Sequence, residues 1–378
     1  MLIRILAVAL AAMLTAVSAA SAGTWHVRAG TSGNGSAESP FVTIQEAVNA
    51  ASAGHTVVIA PGLYAEHVVV GWLKNGIMIR GAGPGRTIID GSGTGPCVVF
   101  DGVHSGSISG LTIRNGLGAS GGGIALYASS PAITNILFAG NRASNGAAIH
   151  CDLSSPMISN CTFAANAATA AGGAIAAVES SPVVVSSILF GNSAPIGAEA
   201  SAANSSTIAF HYSTITGGIG RTFASSTSRV VWGYSNLTVD PLFADPVGGD
   251  YHLKSRKGRW NPAANYGQGA WVIDDLHSPC IDTADPYAPY KDEPPPNGKR
   301  ANIGAYGNTA EASKGSESIS GDANGDCVVN VLDLIFIRNR LNLDVASGDN
   351  AKADVNEDGR INVLDLIHVR TRLNLKCR

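Results

Sequence analysis

The chain has 378 residues, of which 45 are glycine and only 14% are charged, against a usual charged share of about a quarter. A formal net charge of −3 supplies no basic face for a phosphate backbone, so the composition excludes nucleic acid as a natural partner. The glycine excess and scarce charge also exclude a charged helical bundle, while the length allows one or two buried cores.

At the N-terminus, Arg4, an apolar run over residues 5–17 and the small residues Ala20-Ser21-Ala22 predict an export signal over residues 1–22, with the mature chain starting near Gly23. The run is too short to span a bilayer and no later segment is long and apolar enough, so the mature protein is expected to be secreted or held at the cell surface. Six cysteines in an exported chain allow 15 disulfide pairings. Spacing leaves the pairing of Cys97, Cys151, Cys161 and Cys280 open, and no CxxC metal pattern occurs.

Residues 43–51 carry Ile44, Ala47, Val48 and Ala51 at helical spacing, which predicts a short amphipathic helix. Its expected place is over the open end of a stack of strands, where a strand edge and an apolar core would otherwise face water. Strand-like runs at 57–59, 68–70, 77–79, 88–89 and 98–100 come next, and then the chain repeats. Pro131, Pro156 and Pro182, Ile124, Ile149 and Ile175, Phe138, Phe163 and Phe190, and Asn141, Asn166 and Asn192 recur at steps of 25 to 27 residues. The same register reaches back to Ile108 and Ile113. Each unit holds short β-branched or aromatic runs between Gly, Asn, Ser and Pro, and none can bury its own apolar face. Stacking solves this, because equivalent residues then lie above one another in parallel sheets, about 4.8 Å apart. The three Asn are expected at one corner, with a left-handed backbone and a hydrogen-bonded ladder between coils, and Gly121-Gly122-Gly123 and Gly172-Gly173 at another.

The pattern predicts a mainly β fold, a right-handed parallel β-helix. Residues 24–220, with Thr56-Val57-Val58-Ile59-Ala60-Pro61-Gly62-Leu63-Tyr64 and Ile79-Arg80-Gly81 near their start, resemble the pectin-lyase-like β-helix proteins of secreted bacterial origin. That superfamily contains lyases, hydrolases and members of unknown chemistry, so the resemblance implies a fold and no activity. The β-helix is expected over residues 23–238 and an irregular segment closing its second end over 239–311. Residues 312–320 read as a linker.

The C-terminal segment 321–378 carries the strongest motif. Asp322, Asn324, Asp326, Asn330 and Asp333 occupy positions 1, 3, 5, 9 and 12 of a loop, and Asp354, Asn356, Asp358, Asn362 and Asp365 repeat them 32 residues on. A hard divalent cation such as calcium takes six to eight oxygens, which these side chains and the carbonyls of Val328 and Arg360 at position 7 supply. Gly359 provides the sharp turn at position 6 of the second loop. Cys327 stands in its place in the first, which is expected to strain that turn. Nearly identical helical runs follow both loops, starting at Val331 and Val363. This doubled loop and helix resembles the dockerin type I module, a small all-α domain. The resemblance implies two Ca2+ sites and a cohesin-like partner on a scaffold or surface protein, facing Val331, Leu332, Arg338 and Asn339 and their mates Val363, Leu364, Arg370 and Thr371. It also implies antiparallel packing, which would bring Cys327 and Cys377 together as a disulfide.

Catalytic groups are scarce in the repeats. Between residues 97 and 220 the charged side chains are Asp101, Arg114, Arg142, Asp152, Glu179 and Glu199, with no Lys. A lyase acting on uronates needs a base and a neutralising cation, and a glycosidase needs two carboxylates. The nearest constellation is His150 and Asp152, expected to point outward beside Tyr127 one coil away. Lys254, Arg256, Lys257 and Arg259 read as a solvated loop, and Asp274, Asp275, Asp282 and Asp285 as turn residues. Two functions fit: a polysaccharide-associated protein, which as an enzyme would be a polysaccharide lyase or O-glycosyl hydrolase, or a non-catalytic surface or matrix component.

Overall fold

The computed structural model describes residues 23–315, 320–324, 328–345, 348–356 and 358–376, so the expected export signal lies outside the described residues. From Thr24 the chain winds into a parallel β-helix built on a 14-stranded, a 7-stranded and a 3-stranded sheet. The second sheet shows the principle. Ile124–Tyr127 pairs in parallel with Val98–Asp101 before it and Ile149–Asp152 after it, and Ile124 stands opposite Ile149, itself opposite Ile175. A side chain repeated at this step is therefore stacked on its copy, and the interior becomes one continuous apolar column.

The long strand Ala132–Ala139 of the first sheet sets Ile133 on Ile108 and Phe138 on Ile113, as the repeat predicts. Phe138 then stacks on Phe163 with ring centroids 4.9 Å apart and planes 2° from parallel. The third member of that row does not follow. Leu189, not Phe190, pairs with Phe163, while Phe190 pairs with Ala164. A shift of one residue reverses the facing of a strand side chain, so Leu189 fills the core and Phe190 points outward against Phe243.

Corners are fixed by polar ladders. Asn141, Asn166 and Asn192 are buried, and the Asn141 Nδ2 donates to Asn166 Oδ1 and the Asn166 Nδ2 to Asn192 Oδ1, both at 2.9 Å. The left-handed residues are not these but their predecessors Gly140, Ala165 and Gly191, at φ 66°, 54° and 66°. A second ladder, which the spacing of the repeat does not announce, runs through Ser129, Ser154, Ser180, Ser206 and Ser228. Each backbone N–H among the first four donates to the next hydroxyl at 2.9 to 3.0 Å. At the glycine corner, Gly121, Gly146 and Gly172 have φ 68°, 59° and 66°, and a Cβ on any of them would collide with a backbone carbonyl.

The helix Ile44–Ala50 forms as expected. Thr43 and Glu46 make a capping box, the Glu66 carboxylate accepts from the N–H groups of Ile44 and Gln45, and Ile44, Ala47 and Val48 join the core.

The segment after residue 239 departs from its expected place. Instead of closing only the far end, it lies along the flank of the helix, where Phe243, Tyr251, Leu253, Ile281 and Ile303 form a second core with Leu137, Ala164 and Ile188 of successive coils. The outward face of those strands is apolar for this reason. Asn135 Nδ2 donates to the carbonyls of Ala305 and Gly307, and the Thr162 hydroxyl accepts from the Ala305 N–H.

Cys97, Cys151, Cys161 and Cys280 are free, buried thiols, so the open question of their pairing closes without a bridge. Burial pushes the Cys97 and Cys161 thiols up to about 12, which leaves them inert apolar filling. No helix among the described residues is long and apolar enough to cross a membrane.

Candidate functional site

On the outer face of the second sheet, register places Tyr127 opposite Asp152, as expected, and also opposite Asp101 on the preceding coil. Tyr127 is 37% exposed and Asp101 is exposed. His150 corrects the expectation. It points away from the core between Ala125 and Ala176 but is only 6% exposed, and its Nδ1 is buried without a hydrogen-bond partner. Burial lowers its pKa, with Asp152 opposing. Tyr127 and Asp152 thus share a row that His150 does not join at the surface, and Asp101 is the member that alternation alone would have found.

A larger feature lies where the flank meets the segment after residue 239, a trough of about 1120 Å3. Its floor is the outward face of successive coils, including Leu137, Ala139, Ala164, Ala165 and Phe190, and its wall carries Asp250, His252, Arg259 and Glu311. The strand Asp250–Leu253 holds His252 1% exposed, with its ring stacked on Tyr306 at 3.7 Å between centroids. Its Nδ1 meets Asp250 Oδ1 at 2.6 Å, while Nε2 stands 3.6 Å from Glu311 Oε2, too far for a hydrogen bond. Burial opposes protonation of His252, but the Asp250 and Glu311 carboxylates outweigh it and raise its pKa. Arg259 joins Asp250 at 3.1 Å and Asp274 at 3.0 Å. Arg259 is therefore a buried ion-pair partner, not part of a solvated loop, and Asp274 is more than a turn residue. The sequence signal was weak, a single His flanked by acids in Asp250-Tyr251-His252.

In the C-terminal module the helices Val331–Arg338 and Val363–Arg370 start with the same device. The Asn330 and Asn362 side chains accept from the N–H groups of Leu332 and Leu364 at 2.7 Å. The wholly buried Asp333 carboxylate accepts from the N–H groups of Asn324 and Asn330, and Asp365 does the same for Asn356 and Asn362. A pseudo-two-fold relation ties the halves together, since the Asn342 N–H donates to Ile361 O at 2.9 Å and the Asn374 N–H to Val329 O at 2.8 Å.

In the second loop the Asp354 carboxylate accepts from the N–H groups of Asp358 and Gly359, and Asp358 accepts from Arg360. Gly359 takes the sharp turn at φ 81°. Burial raises the Asp354 pKa despite these bonds, and the nearby Asp365 and Asp358 carboxylates add to the rise. Hard oxygens, crowded like charges and a glycine turn are a donor set that fits calcium. Among the described residues no group of three or more His, Cys, Asp or Glu side chains is already arranged to hold a metal ion. The first loop repeats the scaffold through Asp322, Asn324, Val328, Asn330 and Asp333, but Asp326 lies outside the described residues, as do Cys327 and Cys377 with their expected disulfide.

All eight residues expected to face a partner are exposed, and among them Val331 and Val363 are each 60% exposed. Ile335 and Ile367 extend the same apolar face, and their spacing of four from Val331 and Val363 was the signal that could have named them.

Residues 96–240 match the family model described as right handed beta helix region, residues 204–284 the one described as disaggregatase related, and residues 320–374 the dockerin type I domain. No curated protein matches the chain. Among solved structures, pectin methylesterase from carrot is similar, with 17% identity over 58% of this chain and 84% of the other and a TM-score of 0.39. The protein is a right-handed parallel β-helix that carries a dockerin type I module at its C-terminal end.

Proposed function

We propose that the β-helix is the polysaccharide-associated part of an exported protein, and that the C-terminal module docks it on a cohesin-like domain of a scaffold or surface protein. The observation that carries the docking reading is the doubled surface of Val331, Leu332 and Ile335 with Val363, Leu364 and Ile367, apolar and exposed on both helices of so small a module. Type I dockerins bind calcium. Here Asp322, Asn324, Asp326, Val328, Asn330 and Asp333 would hold one ion and Asp354, Asn356, Asp358, Arg360, Asn362 and Asp365 a second, the backbone carbonyl serving at Val328 and Arg360. Calcium supplies positive charge that gathers the loop carboxylates and fixes the helix starts. Val328 and Lys376, the chain neighbours of the two module cysteines, form an antiparallel bridge, which supports the Cys327–Cys377 disulfide.

The polysaccharide part of the reading is supported by the appended module and by long faces of parallel rows that suit an extended polymer. The row of Asp101, Tyr127 and Asp152 is its first place to look for turnover. The scarcity of charge between residues 97 and 220 favours the second reading, a surface component without catalysis. Incubation of the full chain with acidic and neutral glycans separates the two, new reducing ends or unsaturated uronates marking an enzyme. Capture by immobilised type I cohesins in calcium, lost in Leu332→Asp/Leu364→Asp and in chelator, tests the docking.

A further inference from the structure

The trough of about 1120 Å3 between the flank and the segment after residue 239 exceeds an ordinary small-molecule pocket. Its floor runs along successive coils and carries mostly small side chains, Ala139, Gly140, Ala164, Ala165 and Gly191, broken by the outward Phe190. Such a floor lacks the deep apolar pockets that seat peptide side chains but gives an extended chain of rings a long, shallow bed. The walls decide the ligand's charge. Of their three arginines, Arg114 is held by Asp90 at 2.8 Å and Arg259 by Asp250 and Asp274, which leaves the exposed Arg86 to face the carboxylates of Asp245 and Glu311. Two carboxylates thus stand against one arginine outside the ion pairs, a balance that disfavours a polyanion.

Glu311 is the exposed end of a built network. Its side chain is 22% exposed, and behind it the buried His252 Nε2 has no hydrogen-bond partner, while Nδ1 is taken by Asp250. Carboxylates in excess over free cations, beside aromatic edges, recognise hydroxyl groups in preference to phosphate, sulfate or uronate. We propose that this trough is the glycan-binding site of the protein, that it takes a neutral oligosaccharide, and that the Glu311 carboxylate accepts hydrogen bonds from its hydroxyl groups. The proposal rests on the polysaccharide reading of the β-helix and moves its binding site away from the face that carries Tyr127 and Asp152.

Calorimetric titration of the full chain with cellohexaose, mannohexaose and hexagalacturonate tests it. Binding of a neutral hexamer is expected, abolished by Ala165→Trp, which fills the floor at an exposed position, weakened about tenfold by Glu311→Gln, and unchanged by Val69→Ala, an exposed change outside the trough. Thermal unfolding and circular dichroism like those of the parent confirm that the variants fold. Neutral binding that survives both trough variants overturns the site and leaves the polysaccharide reading standing. Binding of hexagalacturonate alone overturns the neutral class. If no glycan binds, the polysaccharide reading falls together with the proposal.

Discussion

The β-helix and the C-terminal module solve the same problem, a unit too small to fold alone, in opposite ways. In the helix each coil borrows its neighbours: Ile149 is covered by Ile124 and Ile175, and Asn166 is satisfied by Asn141 and Asn192. In the module two halves close on each other by pseudo-symmetry, with six of its described residues in a buried core and carboxylates that bind their own backbone. The stack has few charges and is stabilised by apolar burial and dry ladders. Residues 317–365, which include both loops of the module, hold 10 of the chain's 28 acidic side chains, and the proposed calcium binding would relieve their crowding. Stability is thus local and additive in the first part and, under the proposed calcium binding, would be conditional on the medium in the second.

The sharpest way to break the comparison is inside the stack. Asn166→Leu removes a side chain that accepts from the Asn141 N–H and Nδ2 and donates to Phe138 O and Asn192 Oδ1. With orphaned buried groups costing about 1–3 kcal/mol each, a loss of at least ~3 kcal/mol is expected, read by denaturant unfolding. Phe163→Ala, which removes a buried ring stacked on Phe138, belongs to the same class at about 3–5 kcal/mol. Neither change should alter calcium affinity.

Calcium is the converse probe. Scanning calorimetry of the full chain in calcium and in chelator should show one transition that moves by several degrees, from the module, and one that does not, from the β-helix. A single transition that moves as a whole would mean the two parts unfold together.

A smaller effect is the pH response of the stack. Glu199 is wholly buried and accepts from Asn192 Nδ2 at 2.6 Å, ending the amide ladder. Burial pushes its carboxyl up to about 7, against an ordinary 4.5, despite Asn192 and Arg221. The folded state therefore prefers the protonated acid. This contribution is fully present below about pH 4.5 and is lost as pH rises through about 7. Glu199→Gln keeps the acceptor and should flatten that part of the stability profile. The smallest expected change is in Leu332→Asp/Leu364→Asp, where exposed side chains are altered and the melting temperature should stay put while partner capture disappears.

How much of the molecule was legible depends on what periodicity encodes. Inward residues such as Ile108, Ile133 and Ile158 must repeat because each covers the next, so the solenoid and the Asn ladder could be read from spacing. The slip at Phe190 could not, since an aromatic residue serves equally well inside or against Phe243. The serine ladder was hidden because serine is common in every turn. The trough network depends on Asp250, His252, Arg259, Asp274 and Glu311 meeting across 61 residues of irregular chain, and no period marks such a meeting. In the module, ligand spacing is dictated by a twelve-residue loop, and both helix starts were plain.

The serine ladder has a consequence for how such a protein grows. Every rung is alike, an N–H of one coil answered by the hydroxyl of the next, from Ser129 to Ser228. A gene that loses or copies one whole coil rejoins the ladder without a mismatch, and the asparagine row and the isoleucine column rejoin with it. A gain or loss of one residue within a strand turns its core side chain out of line, whereas a corner takes it up, since the serine rungs themselves stand 25, 26, 26 and 22 residues apart. Length is therefore free to drift in steps of a coil, with single residues absorbed only at the corners, so relatives should differ chiefly by entire turns of the solenoid.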